Sequence, residues 1–97
     1  MQGVTISVGR CTQSNDVAVD DASVSRQHLC LTVNSLQNLQ LDDCQSSFGS
    51  FYWDGSQWLR FNSIQLSAND YIFIGSTKLR LMEIIIAYQI NSRRRGV

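Results

Sequence analysis

Proline is absent from the 97 residues, and glycine occurs only 6 times. That composition argues against a linker or a low-complexity segment. One histidine and three cysteines without C-x-x-C spacing give no basis for a structural zinc site, which needs four close Cys or His ligands. No metal and no cofactor is expected. No apolar run approaches the ~20 residues of a membrane-spanning helix, and no signal-peptide core opens the chain. Ile84-Ile85-Ile86-Ala87 is too short to cross a bilayer, so direct membrane insertion of this segment is not expected. The formal net charge is zero, and Arg93, Arg94 and Arg95 lie among the last five residues. The body before them is therefore mildly acidic, and nucleic acid, which needs a broad basic face, is not an expected partner. The arginine triplet is read as a solubilising tail. The cysteine pattern suits a reducing compartment, and a cytoplasmic location is expected.

What is present is apolar alternation. Hydrophobic residues make up 43% of the chain, enough for one ordinary core in one domain. Val4, Ile6 and Val8 alternate with Thr5 and Ser7 up to Gly9, the signature of a half-buried strand. Val17-Ala18-Val19 follows as a short strand. Residues 28–33 alternate through Leu29, Leu31 and Val33, with Cys30 among them as a reduced, buried thiol. Leu39 and Leu41 mark the next strand. Phe51-Tyr52-Trp53, Asp54-Gly55 and Trp58-Leu59-Arg60-Phe61 read as a hairpin, because Asp-Gly supplies the positive φ of a tight turn. Ser56 and Gln57 lengthen that loop beyond two residues. Tyr71 to Gly75 is another strand, and residues 77–86 are read as the last one. No window shows a helical period with caps. Many short strands between frequent turns predict an all-β sandwich of two mainly antiparallel sheets. Residues 1–86 are expected to form that domain, and 87–97 a C-terminal tail or the start of a linker.

Three polar clusters stand beside the predicted turns: Gly9-Arg10, Ser25-Arg26-Gln27-His28 and Ser46-Ser47-Phe48-Gly49-Ser50. Functional polar residues concentrate on loops carried by a rigid scaffold. Arginine offers a planar fork of donors matched to phosphate oxygens, and hydroxyls add shorter bonds. Catalysis is not expected. No G-x-S-x-G elbow surrounds a serine, and no third group marks Ser25 and His28 as a nucleophile–base pair. The aspartates occupy turn positions, where local hydrogen bonding favours them.

The order and spacing of these clusters resemble the forkhead-associated (FHA) domain, a phosphothreonine-binding β-sandwich, from about Val4 to about Met82. The resemblance implies a recognition surface at one end of the sandwich. There Arg10, Ser25, Arg26, Ser47 and Phe48 would meet the phosphopeptide, while Gly9, His28 and Gly49 would support the loops. Ser25 would bond the phosphate, and His28 would tie the recognition loops together. One position departs from the family pattern. Phe48 stands where the family has an asparagine that grips the peptide backbone through its amide, and Phe can form no such bonds. Phe48 is thus read either as a hydrophobic plug against the sandwich end or as a protein contact. Two functions follow: a phosphothreonine-peptide-binding module serving kinase signalling, or a degenerate scaffold that assembles a complex independently of phosphorylation.

Overall fold

The computed structural model describes residues 2–95, with side chains as far as Arg93. Gly96, Val97 and the side chains of Arg94 and Arg95 lie outside the described residues, and with them most of the arginine triplet read as a solubilising tail. Among the described residues nine strands and one helix follow in order: β1 (Val4–Gly9), β2 (Val17–Ala18), β3 (Leu29–Ser35), β4 (Asn38–Asp43), β5 (Ser50–Trp53), β6 (Trp58–Phe61), β7 (Ser63–Leu66), β8 (Tyr71–Ile74), β9 (Thr77–Arg80) and α1 (Leu81–Arg95).

The strands form two sheets, ordered β2-β1-β3-β4-β7 and β6-β5-β8-β9. All pairs are antiparallel except β1 with β2. The period-two pattern turns one face of each strand inward. Ile6, Val8, Leu29, Leu31, Leu39 and Leu41 from the first sheet meet Phe61, Ile72 and Ile74 from the second, all buried. Non-directional burial of these aliphatic faces holds the sheets together.

The outward face of the second sheet collects the aromatics left over by the same alternation. Trp53 packs on Trp58 with centroids 5.4 Å apart, and Trp58 meets Phe73 edge-on at 4.7 Å. The hairpin between β5 and β6 has four loop residues, 54–57. Asp54 Oδ1 accepts the amides of Ser56 and Gln57, each at 2.8 Å, and Gly55 adopts φ 108°. Strand β7 was passed over in the sequence reading, although Ile64 and Leu66 alternate with Ser63 and Gln65.

The reading of residues 77–86 as a strand is corrected, as is the absence of a helical period. Strand β9 stops at Arg80 and α1 starts at the next residue, crossing the boundary expected between residues 86 and 87. Leu81, Ile84 and Ile85 are buried with Tyr88 partly so, which is the i, i+3, i+4, i+7 stripe of a helix packed on a core. Three β-branched isoleucines in a row favour a strand by propensity, and burial overrides that preference. The start is secured by neighbours instead of a Ser or Asp cap. Glu83 Oε1 accepts the amide of Arg80 at 3.1 Å, half of a capping box. The amides of Leu81 and Met82 donate to the carbonyls of Asp70 and Ala68, each at 3.0 Å. These bonds satisfy donors that every helix start leaves open. Near its other end, Asn91 Nδ2 donates to the Asp16 carbonyl at 3.1 Å. No helix among the described residues is long and apolar enough to cross a membrane.

Candidate functional site

Four loops meet at the end of the sandwich where β1 finishes and β3 and β5 begin. They are residues 10–16, 19–28, 44–49 and the tight β8–β9 turn at Gly75. The first two are zipped by backbone bonds. The Arg10 amide donates to the Ser25 carbonyl at 2.9 Å, and the Cys11 amide to the Arg26 carbonyl at 3.3 Å. Asn15 Nδ2 adds bonds to the carbonyls of Cys11 (2.7 Å) and Arg26 (2.6 Å). This close approach explains Gly9: a Cβ there would strike the Arg26 carbonyl and stand 2.8 Å from Asn15 Nδ2.

Arg10 is exposed but aimed. Its Nε donates to the Val24 carbonyl at 3.0 Å. Among the described residues its terminal nitrogens meet no other acceptor, so the outer edge of the guanidinium faces outward as a free donor pair. Arg26 is also exposed, its backbone fixed by Asn15 and Cys11.

His28 is completely buried and joins two loops. The Ser25 amide donates to Nδ1 at 3.0 Å, so Nδ1 carries no proton. Nε2 must then carry it and donates to the Gly49 carbonyl at 2.9 Å. The neutral Nε2–H tautomer is the form that satisfies both bonds. The Gly49 carbonyl also accepts the Gly75 amide at 3.1 Å, which brings in the fourth loop. Ser23 holds that turn from below, its Oγ accepting the Ser76 amide at 2.7 Å. Asp21 braces the same region through the Thr77 hydroxyl and Ser23. Those bonds, Thr77 foremost, hold its carboxyl below the usual range.

The loop between β4 and β5 hangs on Asp43, a residue the sequence reading did not single out. Its Oδ1 accepts the hydroxyls of Ser46 and Ser50, each at 2.6 Å, and its Oδ2 accepts the Ser46 amide at 2.9 Å. Burial alone would raise the Asp43 carboxyl. The two hydroxyls and the amide outweigh it and leave the group below its ordinary value. The spacing Asp43-x-x-Ser46 is a local side-chain-to-backbone motif and was the available signal. Ser46 Oγ in turn accepts the Gly49 amide at 3.1 Å, and Gly49 takes φ 90°, a conformation that favours glycine.

Ser25 and Ser47 come together across the 19–28 and 44–49 loops. The Ser47 amide donates to Ser25 Oγ at 3.1 Å. An oxygen that accepts here keeps its own proton free to donate outward. Phe48 is 63% exposed at the loop tip, so the reading of Phe48 as a hydrophobic plug is corrected. Arg60 of β6 was also missed. Its Nη2 donates to the Ser46 carbonyl at 3.3 Å, and its guanidinium lies where a Gly49 Cβ would be, 2.8 Å from Nε. The site therefore carries three arginines on separate elements, a donor-rich rim suited to an anion.

The FHA domain family matches the sequence over residues 6–75. No curated protein matches it. Among solved structures, the chain is similar to the FHA domain of CT664 from Chlamydia trachomatis, at 27% identity and TM-score 0.68, with 80% of this chain and 75% of that one covered. Mycobacterium tuberculosis EmbR, solved in complex with a low affinity phosphopeptide, is similar at 27% identity and TM-score 0.63, over 80% of this chain and 19% of that one. The MEK1 FHA domain, solved with a HOP1 phosphothreonine peptide, shares the fold at 21% identity and TM-score 0.63, over 82% of this chain and 80% of that one. With most of β1, strands β2 to β8 and three of the four converging loops inside the matched segment, this chain belongs to the FHA domain family.

Proposed function

We propose that this domain binds phosphothreonine peptides and is an interaction module rather than an enzyme. The observation that carries the reading is the Ser47 amide to Ser25 Oγ bond at 3.1 Å. It joins the two recognition loops beside an Arg10 guanidinium that is docked through Nε. The phosphate would sit against the outer edge of Arg10 and the outward hydroxyl of Ser25, with Arg26 and Ser47 alongside. Phosphothreonine carries close to two negative charges at neutral pH, and arginine stays protonated throughout. Loops already bonded to one another lower the ordering cost of binding. EmbR, similar at 27% identity and bound to a phosphopeptide, supports the same reading.

The test is calorimetric titration with a phosphothreonine peptide library and its unphosphorylated counterpart. Binding of the phosphorylated set is expected, and Arg10→Ala should weaken it at least tenfold. Its side chain is exposed, so stability should change by less than about 0.5 kcal/mol. Equal affinity for both peptide sets would overturn the reading. A second reading is favoured by one observation, the exposure of Phe48 at the tip of the loop. An aromatic displayed there suits a protein contact, and the domain would then serve as a phosphorylation-independent scaffold.

A further inference from the structure

Cys30 and Cys44 are fourteen positions apart, with no spacing that pairs them in the sequence. Fold topology brings them together. Cys30 faces Asp42 in the β3–β4 ladder, and the Cys44 amide continues that ladder one step by donating to the His28 carbonyl at 2.9 Å. The two side chains consequently share a face, and their sulfurs lie 3.9 Å apart. Cys30 is half-buried and Cys44 exposed, which corrects the reading of Cys30 as a buried thiol. Both are free. Among the described residues, no group of three metal-ligating side chains includes them, so the pair is set up for sulfur–sulfur chemistry.

We propose that Cys30 and Cys44 are a dithiol modification site that reacts with a low-molecular-weight disulfide and closes into an intramolecular disulfide at the root of the β4–β5 loop. The exposed Cys44 reacts first. Its thiolate attacks one sulfur of the small disulfide, that S–S bond breaks, and one small thiolate leaves. The Cys30 thiolate then attacks the Cys44 sulfur of the mixed disulfide and expels the second. Two cysteine thiols are oxidised, one small disulfide is reduced to two thiols, and the two cysteine protons end on those products.

Bond formation brings the sulfurs from 3.9 Å to about 2.05 Å. Cys30 sits inside the ladder, whereas Cys44 lies just past the end of β4 and precedes Gln45 at φ 58°. Cys44 is therefore the side that yields, and it is three residues from Ser47. Loss of water around its sulfur pushes the Cys44 thiol up to about 11, reinforced by Cys30 and then by Asp43 and Asp42. The exchange is accordingly slow at neutral pH. Cys11 competes for the reagent, its thiol lowered chiefly by the Ser14 hydroxyl.

The test treats the folded parent and Cys11→Ser with oxidised glutathione at about pH 9, where thiolate is more abundant. No Lys or Arg lies between Arg26 and Arg60, so trypsin releases residues 27–60 as one peptide. In both proteins that peptide should lose two hydrogens, resist alkylation at Cys30 and Cys44, and regain both on dithiothreitol. Chymotrypsin should then yield two segments joined through the pair. Cys30→Ser should stop at a glutathione adduct on Cys44. Separate adducts on Cys30 and Cys44, two thiols left open to alkylation, or a cross-link formed only in denaturant would each overturn the proposal.

Discussion

The β4–β5 loop and helix α1 are fastened to the same sandwich by different physics. The loop buries little carbon. It is held by Asp43, His28 and two serine hydroxyls, whose bonds run from 2.6 to 3.0 Å. The helix buries Leu81, Ile84 and Ile85, and the polar bonds at its start do little beyond satisfying its first amides. Hydrogen bonds are directional, so the loop's shape is fixed although its surface stays open. Burial is non-directional and large, so the helix contributes mainly stability, although Asn91 also holds the Asp16 carbonyl at the edge of the 10–16 loop. Stability and the candidate site thereby rest largely on different parts of a small domain.

The largest effect expected from breaking this division is at the helix. Leu81 is fully buried at its first position. Leu81→Ala should cost about 2–5 kcal/mol through lost transfer energy and a residual cavity. Phosphopeptide affinity per folded molecule should stay within twofold of the parent. Denaturant melts give the first quantity, and titration at a temperature where the variant remains folded gives the second. A large loss of affinity in that folded fraction would mean that the helix shapes the loops after all.

A smaller, pH-dependent effect is expected at the loop. The folded Asp43 carboxyl lies below its ordinary value of 3.8. Its contribution is therefore fully present above the unfolded value and is lost as pH falls through the lower folded one. Asp43→Asn keeps one acceptor but sets an NH2 against the Ser46 amide, which should cost about 1–3 kcal/mol near neutrality. The gap between parent and variant should narrow below about pH 4, where the parent also loses the charge. Asp21 and Asp54 are held low in both proteins, so comparing the two isolates Asp43. A gap constant down to pH 2 would assign the loss to shape and not to charge.

The same contrast explains what could be read in advance. Strands β1, β3, β5 and β8 announce themselves because one buried face produces period-two alternation. The loop clusters were legible because Gly9-Arg10 and Ser25-Arg26-Gln27-His28 are contiguous in sequence. Helix α1 was not, because Ile84, Ile85 and Ile86 mimic a strand and its start lacks the usual Ser, Thr, Asp or Asn. Its first amides are satisfied by Asp70 and Ala68, through contacts that only the fold creates. Arg60 and the Cys30–Cys44 pair escaped for a related reason: their partners lie on segments distant in sequence, and register cannot be read from one strand alone. Asp43 differs, since its partner Ser46 is three residues away and the motif was open to inspection.

The smallest effect sharpens the comparison most, because it concerns affinity alone. Phe48 is 63% exposed, so Phe48→Asn gives up little buried carbon and stability should change by less than about 0.5 kcal/mol. Asparagine at this position supplies both an acceptor and two donors to a peptide backbone. The loop bearing it is already tied by Asp43 and His28, so little ordering cost is added. Each restored bond should contribute about 0.5–1.5 kcal/mol, or a few-fold to roughly tenfold in phosphopeptide affinity. Titration of parent and variant with the same phosphothreonine peptide reads this directly. Tighter binding would identify the domain as a reader whose grip is weakened at one residue. Unchanged phosphopeptide binding, together with loss of a partner that the parent holds without phosphorylation, would favour the scaffold and make Phe48 its contact.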